Sequence, residues 1–332
     1  MIRVVLAMVA LSIATVAGAH HSPAIYDLQR TMRLVGNVVR YEWGNPHVYI
    51  HLRSVTDAGG VVWEIETGSP TMMERVGWSS DSLRVNDQVI VQVNPARNPA
   101  HRAALLSSLQ KADAAFSYQR GAPPVPAVPT NPVAATSLAG NWLPTTPAFL
   151  RFVGASAEWP LTNEARTALA SHTDSKNGSQ NCVSLSAPFL MAWSDLKQIE
   201  VRDGTTILRS ALIDNVEREI HMNASSHAGA ERTNQGHSIG HFEAGVLVVD
   251  TASFSAHASG IREGVPSGPG KHLIERFQLS ADRTRLTYSY VLEDPEYLAT
   301  PVTGSVEWVH RPDLRYTGYK CDRDIAARFL AN

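Results

Sequence analysis

Short segments in which apolar and polar residues alternate recur along most of this chain. A period of two residues is typical of β-strands that bury one face and expose the other. Segments of this kind occupy residues 32–41, 47–53, 61–67, 88–93, 199–202, 205–212, 218–222, 246–251, 272–279, 285–292, 302–310 and 315–321. Turn-forming Gly, Asn, Asp and Pro residues separate them. The pattern predicts an all-β protein with few short helices.

The first group of segments predicts a small barrel of the oligonucleotide/oligosaccharide-binding (OB-like) type, at residues 20–119. Ser69 can cap a short helix that begins with Pro70 and ends at Gly77. Residues 100–119 fit a helix, on Ala and Leu propensity, as well as a final strand.

The second group predicts a larger antiparallel, lipocalin-like barrel at residues 137–332, after a Pro-rich linker at residues 120–136. Thr162 is a good cap for a short helix at residues 163–170. Barrels of this size hold a ligand cavity when side chains do not fill them. Four aromatic residues are candidates either for the wall of such a cavity or for the core. They are Tyr288, Tyr290, Trp308 and Tyr316.

Composition and the N-terminus indicate an exported protein without nucleic-acid partners. The 332 residues are 44% apolar and 18% charged, with a net charge of −2 and no basic run, so the electrostatic footprint of a nucleic-acid-binding protein is missing. Residues 1–19 predict a signal peptide, with Arg3 before an apolar run and an A-G-A cleavage site. No later stretch is apolar enough to span a membrane. We therefore expect a periplasmic or secreted chain.

The chain contains two cysteines, Cys182 and Cys321. An even count in an exported protein predicts a disulfide, which here would join the start of the second domain to its end. The alternative is a pair of buried thiols.

Residues 236–251 concentrate polar groups beside a very apolar run, G-H-S-I-G-H-F-E-A-G-V-L-V-V-D-T. The first five letters fit the G-x-S-x-G nucleophile elbow, which requires a strand, a sharp turn and a helix. No helical repeat follows, and the four apolar residues after the E-A-G turn indicate a strand. We therefore favour a β-hairpin over a serine-hydrolase elbow.

Several titratable residues of the second half have the chemistry of general acids and bases. Asp250 ends an apolar strand and needs a partner, for which Arg276 or a histidine would serve. The leading functional prediction is a small-molecule-binding protein, and the first alternative is an isomerase, lyase or hydrolase acting in the cavity. The candidate catalytic residues are His237, Glu243, Asp250, His272 and Glu275.

A second alternative is a periplasmic copper- or zinc-binding protein. A mature chain that begins at His20 would offer its amine and a ring nitrogen, and His21 and His47 could complete the site because imidazole suits both metals. His51 shares a strand face with His47 but is not adjacent to it. Without a metal, His20 and His21 would be a solvated terminus and His47 a structural turn residue.

The first domain carries an ordered set of motifs, H-H-S, E-W-x-N-P-H, G-S-P, G-W and D-S-L. They occupy residues 20–22, 42–47, 68–70, 77–78 and 81–83. Because of these motifs and their order, the first domain resembles a family of small exported bacterial domains of unknown function. The resemblance implies the OB-like barrel, favours a final strand at residues 104–109, and implies no activity.

The second domain carries the long stretch at residues 236–251, then H-x-x-E-R-F at 272–277, D-P at 294–295 and a late cysteine. It resembles a second exported bacterial family of unknown function. The chain departs from the family pattern at His241, where Arg is usual, at residues 244–246, where G-D-T is usual, and at residues 266–269, which replace P-H-S-E. A role for the histidine of P-H-S-E, or for the arginine that His241 replaces, therefore does not transfer to this chain.

Overall fold

A computed structural model describes residues 25–55, 60–113, 116–120, 131–172 and 181–328. The predicted signal peptide and the predicted metal ligands His20 and His21 lie outside these residues. The fold class is confirmed, since the chain forms a small barrel followed by a larger one, with few short helices. No helix within the described ranges is long and apolar enough to cross a membrane.

The small barrel is built from strands in the order β3-β2-β1-β4-β5 and closes through a parallel β3–β5 pairing. Its elements are β1 (Met32–Glu42), β2 (Tyr49–Ser54), β3 (Val62–Glu66), α1 (Pro70–Glu74), β4 (Gln88–Pro95), β5 (Ala103–Lys111) and β6 (Ser117–Gln119), the last paired with β5. Residues 103–111 thus form a strand rather than a helix. The Ser69 side chain caps α1, as the sequence predicts.

The core of the small barrel consists of the alternate residues of these strands, including Leu34, Ile50 and Val91, which are almost completely buried. Gly36 allows β1 to lie close to β2, because a Cβ at this position would be 2.1 Å from the Arg53 carbonyl oxygen.

The large barrel is a closed sheet with the strand order β10-β11-β12-β15-β16-β17-β7-β8-β9. Its strands are β7 (Gly140–Pro144), β8 (Lys197–Arg202), β9 (Thr205–Ser210), β10 (Val216–His221), β11 (His237–Glu243), β12 (Val246–Ala252), β15 (His272–Leu279), β16 (Arg285–Glu293) and β17 (Val302–His310). A small hairpin, β13 (His257–Arg262) with β14 (Val265–Ser267), stands outside the barrel sheet. Neighbours in the barrel run antiparallel except β10 and β11, which are parallel where they pair.

Helices α2 (Thr146–Ala157), α3 (Asn163–Ala170), α4 (Phe189–Ala192) and α5 (Arg323–Ala327) complete the second half. The sequence predicts α3 and its Thr162 cap correctly but misses α2. The predicted strand at residues 315–321 is wrong. This segment is irregular, and its partners are loops and the first barrel rather than the sheet.

Side chains fill the middle of the large barrel. The rings of Phe277, Tyr288 and Trp308 lie 5.2–5.8 Å apart, and all three residues are fully buried. Phe152 of α2 contacts Tyr290 and thereby closes one end. Tyr288, Tyr290 and Trp308 are therefore core residues, whereas Tyr316 lies in the irregular segment and donates to Asn215.

The two barrels are in direct contact. Asn45 of the small barrel donates to the carbonyl oxygens of Ala211 and Tyr319 in the second half, at 3.3 and 3.0 Å. Arg328 pairs with Glu42 at 2.6 Å. The predicted disulfide between Cys182 and Cys321 is present.

Candidate functional site

A pocket of about 610 Å³ opens in the wall of the large barrel, where β10 and β11 diverge. The parallel pairing of these strands is confined to Ile220 with Ser238 and His221 with Ile239. Residues 216–219 of β10 therefore separate from residues 233–237, and residues 182–184 form the third side. We call this opening the wall pocket.

The floor of the wall pocket includes Arg218 and Ser238, which belong to a buried polar network. Arg218 Nη1 and Nη2 donate to both carboxylate oxygens of Glu275, at 2.9 and 2.5 Å. Tyr288 donates to Glu275 at 3.0 Å, and Ser238 and Thr251 lie within 3.3 Å of Arg218 Nη2. This bidentate pair balances the two charges inside the barrel, and Arg218 Nε has no hydrogen-bond partner in the described parts of the chain.

The rim of the wall pocket is rich in hydrogen-bond acceptors. Asn234 Oδ1 and Gln235 Oε1 are buried and have no hydrogen-bond partner in the described parts of the chain. Their amide nitrogens already donate to the carbonyl oxygens of residues 184 and 185. The pocket is also lined by the carboxylates of Asp214, Glu217, Glu219 and Glu231.

A chain of histidines and carboxylates runs from the wall pocket across the outer face of the barrel. His221 stacks on His237 with ring centroids 4.8 Å apart, and His237 Nδ1 lies 2.9 Å from Nδ1 of His227. His227 Nε2 and His272 Nε2 then approach the same Asp250 oxygen at 3.3 and 2.8 Å. This arrangement connects a ring in the pocket to a surface carboxylate.

The protonation of His237 is set by its surroundings. Desolvation lowers its pKa below the ordinary histidine value, and the neighbouring His221 and His227 lower the pKa further. A neutral ring with one nitrogen engaged by His227 can accept a proton on the other. His237 is therefore suited to act as a base towards a group in the pocket.

The structure brings together three of the five predicted acid–base residues, His237, Asp250 and His272. Glu243 lies at the opposite end of β11, exposed and paired with His241 and Arg276. Glu275 faces the barrel interior, where Arg218 neutralises it. Glu275 is separate from the histidine chain because it lies on the face of β15 opposite His272, and Glu243 is separate because it ends β11, the strand that His237 begins.

The nucleophile-elbow alternative does not fit the structure. Ser238 lies within a strand, is almost completely buried and shares a hydrogen bond with Thr251 at 3.0 Å. The expected hairpin is present instead, with its turn at Ala244 and Gly245 in positive-φ conformations.

His47 and His51 of the small barrel each contact a carboxylate. Nδ1 of His47 lies 2.8 Å from Glu66, and Nε2 of His51 lies 2.6 Å from Glu42. Burial lowers the pKa of His47, but Glu66 more than offsets this effect and raises it. No group of three or more His, Cys, Asp or Glu residues in the described parts of the chain is arranged to hold a metal ion. The predicted copper or zinc site remains a prediction that rests on His20 and His21.

Two residues of the site, His227 and Arg218, have only weak signals in the sequence. The sequence predicts that Asp250 needs a partner such as a histidine, and His272 is such a partner. His227 also contacts Asp250, but it lies in the irregular segment between β10 and β11, where no strand pattern indicates its position. Arg218 sits in an ordinary alternating strand, and its inward direction could have been read from its apolar neighbour Ile220 on the same face.

Comparison with known proteins places a family model on the first third of the chain. Residues 8–104 match a family described as Family of unknown function (DUF6152). The match extends from the predicted signal peptide to the start of β5 and agrees with the resemblance of the first domain to a family without known activity. No curated protein and no solved structure matches the chain.

Proposed function

We propose that this chain is an exported protein that binds a small polar molecule in the wall pocket of its large barrel. The observation that supports this function is the divergence of β10 from residues 233–237, which opens a pocket of about 610 Å³ down to the buried Arg218. Ligand sites in proteins typically enclose about 300–1,000 Å³ and combine a shaped cavity with a few polar groups.

The groups around the wall pocket favour a ligand that donates hydrogen bonds. The acceptor atoms Asn234 Oδ1 and Gln235 Oε1 lack partners, and Glu231 makes no ion pair within the described residues. The positive charge of Arg218 is already balanced by Glu275. A small amine would satisfy these acceptors and carboxylates, since charge-assisted hydrogen bonds are the stronger ones.

A second candidate function is proton transfer to or from that ligand. It is favoured by the contacts from His237 to His227 and from His227 to Asp250, at 2.9 and 3.3 Å. A base oriented by a second group, which is itself held by a carboxylate, is a recurrent arrangement for acid–base catalysis. In this role His237 is the base and His227 and Asp250 are positioning residues.

The binding function can be tested by NMR titration of the full chain with ethylamine, 1,4-diaminobutane and propionate. We expect the two amines to shift the backbone amides of residues 233–238, and propionate to leave them unchanged. The variant Glu231→Gln should bind the amines several-fold more weakly. Glu164→Gln, which changes an exposed carboxylate on α3, is the matched control.

Absence of amide shifts at residues 233–238, or equal amine affinity in Glu231→Gln and wild type together with equal responses to propionate, would contradict the proposed ligand class. Weaker amine binding in Glu164→Gln to the same extent would indicate a general charge effect rather than a site.

A further inference from the structure

A second pocket, of about 470 Å³, lies between the two barrels. One side is formed by α1 and the residue that caps it, and the other by residues 195–196 and 313–319 of the second half. We call this pocket the interbarrel cleft. The residues that determine its chemistry are Met72, Arg75, Leu314, Arg315, Tyr316 and Tyr319.

The carboxylates of the interbarrel cleft are already engaged by the protein. Glu74 accepts a hydrogen bond from the Tyr319 hydroxyl at 2.6 Å. Asp195 is paired with the buried Lys197 and also accepts from Ser210 Oγ at 2.9 Å. These acidic side chains therefore offer little unbalanced charge to a ligand.

Asp313 is engaged in the same way. Both of its oxygens accept from Arg311, Oδ1 from Nε at 2.9 Å and Oδ2 from Nη2 at 2.7 Å. Arg311 holds the pKa of Asp313 below its ordinary value. Asp313 is therefore a paired carboxylate at the edge of the cleft.

Arg75, in contrast to these carboxylates, makes no ion pair within the described residues. Its Nη1 donates to the carbonyl oxygen of Ser194 at 2.8 Å, and among the described residues no carboxylate oxygen lies within 4 Å of its guanidinium. Burial lowers the pKa of Arg75 and the neighbouring Arg311 lowers it further, whereas Asp195 raises it in part. Asp195 acts on Arg75 only at a distance and is itself paired with Lys197, so an oxyanion from solution that pairs directly with Arg75 would be a favourable partner.

Arg315 adds a second cation to the same cleft. Its side chain is exposed and makes no ion pair or hydrogen bond within the described residues. The rings of Tyr316 and Tyr319 and the side chains of Met72 and Leu314 provide apolar surface beside the two guanidinium groups. Guanidinium groups bind carboxylate and phosphate in a bidentate geometry.

We infer that the interbarrel cleft binds a small molecule in which an oxyanion, either a carboxylate or a phosphate, is attached to a short apolar body. Arg75 and Arg315 bind the oxyanion, and the tyrosine rings cover the apolar part. This site shares no residue with the wall pocket. It does not depend on the function proposed above.

The test uses benzoate, phenyl phosphate and inorganic phosphate as probes for the full chain at low ionic strength, with affinity measured by calorimetry. We expect binding of benzoate or phenyl phosphate to be tighter than binding of inorganic phosphate. The better of the two organic probes identifies the oxyanion. Arg75→Gln and Arg315→Gln should each weaken it at least tenfold, whereas Arg151→Gln, an exposed arginine of α2, should leave it within twofold.

Arg75 also links the barrels through Ser194, so Arg75→Gln carries a risk of misfolding. Arg315→Gln changes an exposed side chain that makes no hydrogen bond or ion pair within the described residues, so the protein should stay folded. If Arg75→Gln misfolds, the affinity of Arg315→Gln for the organic probes tests the inference. Failure of wild type to bind either organic probe at millimolar concentration would overturn the inference. An equal loss of affinity in Arg151→Gln would also overturn it, because the effect would then be one of net charge.

Discussion

The wall pocket and the interbarrel cleft both contain a buried or largely buried arginine, but the two arginines differ in their partners. Arg218 makes a bidentate pair with Glu275 inside the barrel. Arg75 meets a carbonyl oxygen and, among the described residues, no carboxylate within 4 Å. In the wall pocket, the buried side-chain atoms without a partner in the described parts of the chain are the acceptors Asn234 Oδ1 and Gln235 Oε1 and the donor Nε of Arg218, whereas in the cleft Arg75 lacks a carboxylate partner. The internal pairing of a charge therefore decides which ligand a pocket can take.

The two pockets also arise from different features of the fold. The wall pocket is an interruption within one sheet, where a parallel pair of strands splays apart. The cleft exists because two barrels meet without filling the space between α1 and the segment at 313–319. Changes to the barrel interior should affect the first, and changes to the contact between barrels should affect the second.

The greatest loss of stability is expected for Glu275→Gln, because this change leaves Arg218 buried without its counter-charge. Breaking a buried pair by removing one partner costs about 3–5 kcal/mol of unfolding free energy. Urea denaturation monitored by tryptophan fluorescence measures this loss. In protein that remains folded, the unpaired Arg218 should also weaken amine binding in the wall pocket and leave oxyanion binding in the cleft unchanged.

Glu307→Gln is the matched control, because Glu307 pairs with Arg285 in a half-exposed position. Surface pairs contribute about 0–1 kcal/mol. A similar loss of stability in both variants would show that the buried network has no special role, and would remove the distinction drawn between the two pockets.

The next effect concerns the disulfide, which connects the two regions. Cys182 lines the wall pocket, and Cys321 follows the segment that lines the cleft. The bond joins residues separated by 139 positions, so it restricts the unfolded chain strongly. Replacing both cysteines by serine should lower the unfolding free energy by about 2–4 kcal/mol.

Comparison of urea transitions of the oxidised wild type, the reduced wild type and the double serine variant measures this effect. The last two should coincide. A double variant as stable as the oxidised protein would mean that the bond does not contribute, and that the two regions are held together by their other contacts alone.

Local patterns made the strands and hairpins predictable. The strand at 302–310 follows from alternation, and the turn at Ala244 and Gly245 follows from its residues, because each depends on neighbours in the sequence. The segment at 315–321 also alternates but is no strand. Its Tyr316 and Tyr319 donate to Asn215 and Glu74, partners that local periodicity cannot reveal.

The candidate sites depend on contacts that are distant in the chain. The predicted need of Asp250 for a histidine was met by His272, since β12 and β15 are adjacent antiparallel strands. The parallel neighbours β10 and β11 are joined by a long irregular connection, which places His227 over the sheet and opens the wall pocket. Pairing across such a connection, and the contact between barrels, are set by tertiary packing rather than by local pattern.

The smallest expected effect is a difference in pH dependence between the two pockets. Arginine stays protonated at any physiological pH and benzoate stays ionised over this range, so benzoate binding in the cleft should change less than twofold between pH 7.5 and 5.5. The wall pocket contains His237, and protonation of this ring as the pH falls adds positive charge beside the amine site. Desolvation lowers the pKa of His237, so this residue becomes protonated at a lower pH than an ordinary histidine.

The direction in which stability changes with pH follows from the difference between the pKa values of His237 in the folded and unfolded states. The folded state binds this proton less readily than the unfolded state, so the contribution of a neutral His237 to stability is complete above the ordinary histidine pKa. It is lost as the pH falls from that value through the lowered pKa. Amine affinity should decrease about two- to fivefold from pH 7.5 to 5.5, the size expected for a partly exposed charge interaction. In His237→Gln the decrease should be smaller.

NMR titration of amine binding at the two pH values, with wild type and His237→Gln, measures this difference, and benzoate binding at the same pH values serves as the internal control. An amine affinity that is unchanged with pH would mean that the histidines do not sense the ligand. The wall pocket would then bind its ligand through the carboxylates alone, and the contacts of His237 with His227 and of His227 with Asp250 would have only a structural role.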